Sequence, residues 1–66
     1  MSFSDALSTA RWYARKYLKL KSPKASCSRV TSTRFRCRVT GRKSGRKRTQ
    51  AVITYLKDGD LYAKRG

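Results

Sequence analysis

The sequence predicts an α+β fold: an N-terminal helix packed on one face of a four-stranded antiparallel meander sheet. Three observations predict it. The first twenty residues repeat apolar side chains at helical spacing. From Ala25 onward the pattern changes to alternation, with β-branched and aromatic residues between turn signals. The links between successive strand candidates are short, which favours antiparallel neighbours. The helix must bury its apolar stripe, and one face of that sheet is the surface on offer. At 66 residues the chain has room for a single small domain, 1–66, with a modest core.

The helix is expected over residues 4–20. Ser4 is placed to cap it, Asp5 suits the positive first turn, and Lys16, Lys19 and Lys21 fall near the negative end. Pro23 forbids continuation. Phe3, Ala6, Leu7, Ala10, Tyr13, Ala14, Tyr17 and Leu18 share one face, and several are small enough for close approach. The first strand is expected over 25–30. Its parity is irregular, because Cys27 and Arg29 fall on one side and Val30 on the other; a bulge near Ser28 would repair this. The second, 33–40, alternates strictly: Phe35, Cys37 and Val39 against Arg34, Arg36 and Arg38. The third, 49–56, has two possible inner faces, Ala51–Ile53–Tyr55 or Val52–Leu56. Lys57-Asp58-Gly59-Asp60 is a hairpin turn with Asp-Gly at its centre, and 61–64 is a short fourth strand. Residues 41–48, Gly-Arg-Lys-Ser-Gly-Arg-Lys-Arg, read as a mobile basic loop.

Two cysteines and no histidine cannot supply the roughly four ligands of a structural zinc site, so no metal is expected. If the chain turns at Ser32, Cys27 and Cys37 fall opposite each other on adjacent strands, within reach of a disulfide. The alternative is a pair of reduced thiols on one sheet face. A disulfide points to an oxidising compartment and a secreted protein; free thiols point to the cytoplasm. The start, Met1-Ser2-Phe3-Ser4-Asp5, has no basic, apolar leader pattern, and no apolar run approaches the ~20 residues of a membrane span. The chain is expected to be cytosolic as written, or a mature or excised piece of a secreted protein.

Charge carries the functional signal. Eighteen Lys and Arg stand against three acidic residues, all Asp, for a net charge of +15. So small a body repels itself and attracts polyanions. Side chains two apart on a strand lie about 7 Å from each other, near the spacing of successive phosphates. Arg34, Arg36 and Arg38 therefore form an anion-binding ridge, and the planar guanidinium grips phosphate through two hydrogen bonds. Arg42, Lys43, Arg46, Lys47 and Arg48 extend the basic surface through the 41–48 segment. That segment is no phosphate-binding P-loop, since no Lys-Ser/Thr pair follows its second Gly. Trp12 falls on the polar side of the helical wheel among Asp5, Ser8, Arg15, Lys16 and Lys19, where an indole suits base stacking, cation–π contact or a lipid interface; Trp12, Arg15, Lys16 and Lys19 form a second polyanion-binding candidate, on a different side of the expected fold from the Arg ridge. Tyr13, Tyr17, Tyr55 and Tyr62 read as core and edge aromatics rather than as a stacking platform. Catalysis is poorly supplied: His and Glu are lacking, and the three Asp are explained by a helix start and a turn. No catalytic residue and no cofactor is expected.

The segment Cys27-Ser28-Arg29-Val30-Thr31-Ser32-Thr33-Arg34-Phe35-Arg36-Cys37-Arg38-Val39, preceded by Tyr13-Ala14-Arg15, resembles a small module of secreted actinobacterial proteins in which a helix precedes a Cys-bearing hairpin and further basic strands. The resemblance covers most of the chain. It implies the helix-plus-sheet architecture and the disulfide, and no activity, that module's role not being established. A second, local resemblance joins Gly41-Arg42-Lys43-Ser44-Gly45, Arg48 and Asp58-Gly59-Asp60-Leu61-Tyr62 to the deazaflavin-dependent nitroreductase family, split barrels that bind a phosphate-bearing cofactor. It spans under half of the chain, and paired cysteines are foreign to that family.

Together these features lead to the expectation of a non-enzymatic polyanion-binding module. Its commonest partner would be nucleic acid, held through phosphate contacts with little sequence specificity. The alternative is a secreted or envelope-facing interaction domain that binds anionic polymers or an anionic membrane surface.

Overall fold

In a computed structural model describing residues 1–66, helix α1 (Phe3–Lys16) is followed by four strands: β1 (Lys21–Thr31), β2 (Arg34–Lys43), β3 (Arg46–Lys57) and β4 (Asp60–Arg65). The strands form one antiparallel meander in the order β1-β2-β3-β4. The sheet is open, with β1 and β4 as its edges, and α1 packs on one face against all four strands. This is the α+β architecture read from the sequence.

The helix begins one residue earlier than expected, and its cap lies two residues earlier. Ser2, not Ser4, is the N-cap: its hydroxyl accepts from the Asp5 N–H at 3.1 Å, and the Asp5 carboxylate accepts from the Ser2 N–H at 3.4 Å. This capping box satisfies two otherwise unpaired donors at once. The helix ends at Lys16 rather than near residue 20. Leu18 and Leu20 are both buried, two residues apart, a spacing that an extended chain satisfies on one side and a helix does not. The chain reverses through Lys19 and Ser22, both at positive φ, while the Leu20 N–H donates to the Ala14 carbonyl at 3.0 Å.

Ala6, Ala10 and Ala14 are fully buried and form the stripe that faces the sheet. Methyl side chains let the helix lie close to Phe35, Cys37, Val39 and Val52. Cys27 pairs directly with Cys37, with Cα atoms 4.0 Å apart, and the two are bonded. The disulfide staples β1 to β2 at the margin of the core, as cross-links in small domains commonly do. Cys37 places Val52 opposite it on β3, which selects the Val52–Thr54–Leu56 side as the inner face of that strand. Thr54 is fully buried, its Oγ1 3.9 Å from Cys37 Sγ.

The irregularity in β1 lies at Val30 and not near Ser28. Pairing runs without interruption from Cys27 through Arg29 and shifts between Arg29 and Thr31, leaving Val30 exposed. Arg29 thus stays on the helix side, where its guanidinium lies 5.5 Å from the Phe3 ring centroid and 5.3 Å from that of Phe35. It covers the end of the core through cation–π contact. Pro23 is accommodated in β1, an edge strand, at an irregular point between Lys21 and Lys24.

The 41–48 segment is not a loop. The β2–β3 ladder continues through Gly41↔Arg48, Arg42↔Lys47 and Lys43↔Arg46. Only Ser44 and Gly45 turn the chain, at φ 55° and 75°, as a two-residue hairpin with both central residues left-handed requires. Asp58 and Gly59 repeat this geometry at the β3–β4 turn, with φ 53° and 82°.

Candidate polyanion-binding surface

Because α1 covers one side of the sheet, strand alternation sends every second side chain to the bare side. Phe35, Cys37 and Val39 are buried under the helix, so Arg34, Arg36 and Arg38 stand in line on the outer face, all exposed. Arg42 continues their row along β2. Register places Ser28 opposite Arg36, Ser26 opposite Arg38 and Lys24 opposite Thr40 on the β1 side. On the β3 side Tyr55, Ile53, Ala51 and Lys47 lie opposite Arg34, Arg36, Arg38 and Arg42. Lys64 follows on β4, opposite Ile53.

Two features of this surface suit a multiply charged ligand. Between the Arg36 and Arg38 side chains the outer face is floored by the small residues Ser26, Ser28 and Ala51, which leaves a shallow hollow beside the guanidiniums. Hydroxyls and guanidiniums side by side donate to phosphate oxygens. Nearer the hairpin tip, Lys21, Lys24, Arg42 and Lys47 surround a second depression where β1 is irregular.

The β2–β3 hairpin arm violates a pairing rule. Arg42 faces Lys47 and Lys43 faces Arg46, and like charges directly opposite destabilise a sheet. The arm carries cations on both of its faces: Arg42 and Lys47 on the outer one, Lys43, Arg46 and Arg48 on the other. Lys43 and Arg48 join Arg65 around a depression beside Leu18 and Leu20.

The helix residues form a separate patch. Trp12 is 48 % exposed, its ring edge-on to Tyr17 at 5.5 Å. Lys16 Nζ lies 5.4 Å from the Trp12 centroid and 5.9 Å from that of Tyr17. The indole therefore packs along a Lys side chain and, with Ser8, Thr9 and Leu61, lines a shallow surface depression. Arg15 and Lys16 are exposed in the last helical turn, while Lys19 lies beyond the helix in the link to β1. This cluster and the Arg row lie on different sides of the sheet.

Among the tyrosines, Tyr13 is half-buried against the core and Tyr62 lies on the edge strand β4, but Tyr17, expected on the apolar face of the helix, is exposed. Tyr55 and Tyr62 belong to the outer face, and Tyr62 is 42 % exposed. Their position follows from the inner-face choice in β3, which two apolar parities left open in the sequence. No protein-family model matches this chain, and no curated protein or solved structure does either.

Proposed function

We propose that this protein is a non-enzymatic polyanion-binding module whose outer sheet face holds nucleic acid through its phosphates, with little sequence specificity. The observation that carries this reading is the exposed row Arg34, Arg36 and Arg38, continued on the same face by Arg42 with Lys47 opposite it. A chain of net charge +15 places cation opposite cation in a regular ladder and so builds repulsion into its own sheet. Local conflicts of this kind mark functional surfaces. A polyanion laid along the row relieves the repulsion between Arg42 and Lys47 and releases its own condensed counterions. Phosphate contacts fix position without reading bases, so different sequences bind alike.

Titration with a short DNA duplex of arbitrary sequence at several salt concentrations tests the reading. Neutralising about six phosphates gives a log–log slope near −5, and a second duplex of unrelated sequence gives the same affinity and slope. A flat salt dependence contradicts the proposal.

A second reading rests on the Cys27–Cys37 disulfide, which favours an oxidising compartment. There the same cations would serve an envelope-facing module that binds anionic polymers or lipid surfaces, with Trp12 and Tyr17 at the interface. A blue shift of Trp12 fluorescence on anionic vesicles is its signature; no shift rejects the lipid variant. Free thiols in protein recovered from its native host count against the oxidising compartment.

A further inference from the structure

The outer face has two halves of different chemistry. Its β1–β2 half offers guanidiniums and hydroxyls. Its β3–β4 half offers flat aromatic surface: Tyr55 and Tyr62 are cross-strand partners whose rings stack 5.5 Å apart at an interplanar angle of 21°. Lys64 Nζ sits 5.6 Å from the Tyr55 centroid, so the half-buried Tyr55 is held by both neighbours. Tyr62 belongs to an edge strand and has no further strand beside it. Its ring is pre-positioned by Tyr55 and open to a ligand.

Register joins the two halves into one row. Arg34 pairs with Tyr55, and Tyr55 pairs with Tyr62. With strands about 4.8 Å apart, the backbone of the Arg row and that of Tyr62 are separated by about 10 Å. A base attached to a phosphate seated on Arg34 or Arg36 is within reach of the tyrosine pair across β3. Bases inside a duplex are already stacked and paired and cannot reach it, whereas those of a single strand can.

We infer that the outer face binds single-stranded nucleic acid in preference to duplex, with Tyr62 stacking on a base and Tyr55 positioning it. This rests on the phosphate-binding reading above and adds the strandedness and the residue that sets it. Charge complementarity selects the occupant, because a second copy of this face would meet it cation to cation. An acidic polypeptide matches the charge but has no planar bases for the rings.

The test uses the full, disulfide-bonded chain and four fluorescent probes of matched length: oligothymidylate of about 20 nucleotides, an abasic chain with the same phosphates, a duplex, and polyglutamate. Oligothymidylate is expected to bind more tightly than the abasic chain by roughly 5- to 150-fold, the range for one stacked base, and more tightly than the duplex. Tyr62→Ala removes that advantage and leaves abasic-chain affinity unchanged; Tyr62→Phe keeps it. Tyr62→Leu, which still covers Tyr55 but has no ring, serves as a second variant should the alanine variant unfold. Equal, salt-dependent affinity for oligothymidylate and the abasic chain overturns the stacking inference while the phosphate reading stands. Preference for duplex, or polyglutamate bound as tightly as oligothymidylate, overturns the inference as well. Salt-independent or absent binding of all the nucleic-acid probes removes both readings.

Discussion

Gly41 is the position where one methyl group should do the most harm. A Cβ built there would lie 2.8 Å from Leu20 Cβ, 3.0 Å from the Lys21 carbonyl oxygen and 3.4 Å from Pro23 Cα. Two of these atoms are backbone, and the third is the first atom of a buried side chain, so none can swing aside as the end of a flexible side chain would. Gly41→Ala must push the helix-to-strand link away from β2 and loosen Leu18 and Leu20. Overpacking of this kind costs about 1–3 kcal/mol. For a chain of this size each kcal/mol moves the melting midpoint by about 4–8 °C, so thermal unfolding by circular dichroism should show a fall of roughly 5–20 °C. Gly45→Ala is the control. It meets no atom within 4 Å, and its cost is only the left-handed backbone at φ 75°, roughly 1–2 kcal/mol. A Gly41→Ala midpoint equal to or above that of the parent would refute the close approach of residues 20–23 to β2.

Reduction of the Cys27–Cys37 bond reopens a loop of about 11 residues, which in the chain-entropy model removes about 2.5–3 kcal/mol; a melt with reductant should fall by roughly 10–20 °C, and an unchanged midpoint would show that the staple contributes nothing. Thr54→Val deletes a buried hydroxyl whose nearest partner is a disulfide sulfur at 3.9 Å, a weak acceptor. The variant should be more stable by up to about 1 kcal/mol, and a clear loss in denaturant titration would mean that the hydroxyl contact is strong.

The sequence made the helix and the meander legible because their periods differ sharply, 3.6 against 2. The partnership of Cys27 with Cys37 was legible because a turn at Ser32 fixes the register. Three things were hidden, each for a physical reason. Residues 41–48 read as a loop because five cations and two glycines argue against a strand, yet the Ser44-Gly45 turn closes a full ladder despite the repulsion. The inner face of β3 was undetermined because both parities are apolar; what decides it is Val52 opposite Cys37 under the alanine stripe. That choice puts Tyr55 and Tyr62 on the outer face, so the aromatic half of the surface could not be read from the chain alone. The end of α1 was overestimated because Pro23 is the visible stop, whereas the buried Leu18 and Leu20 pull the chain out of the helix earlier. The row Arg34, Arg36, Arg38 was the most legible part of the site, since strict alternation with Phe35, Cys37 and Val39 leaves it one face to occupy.

The central claim is that this row neutralises phosphates. Its most direct test is the salt slope of duplex binding for the parent chain beside Arg34→Gln/Arg36→Gln/Arg38→Gln, with Lys16→Gln/Lys19→Gln as a control on the helix side. Losing three phosphate contacts makes the slope shallower by about 2.5–3, whereas the helix-side variant leaves it nearly unchanged. Parent and triple-variant slopes that coincide would contradict the account.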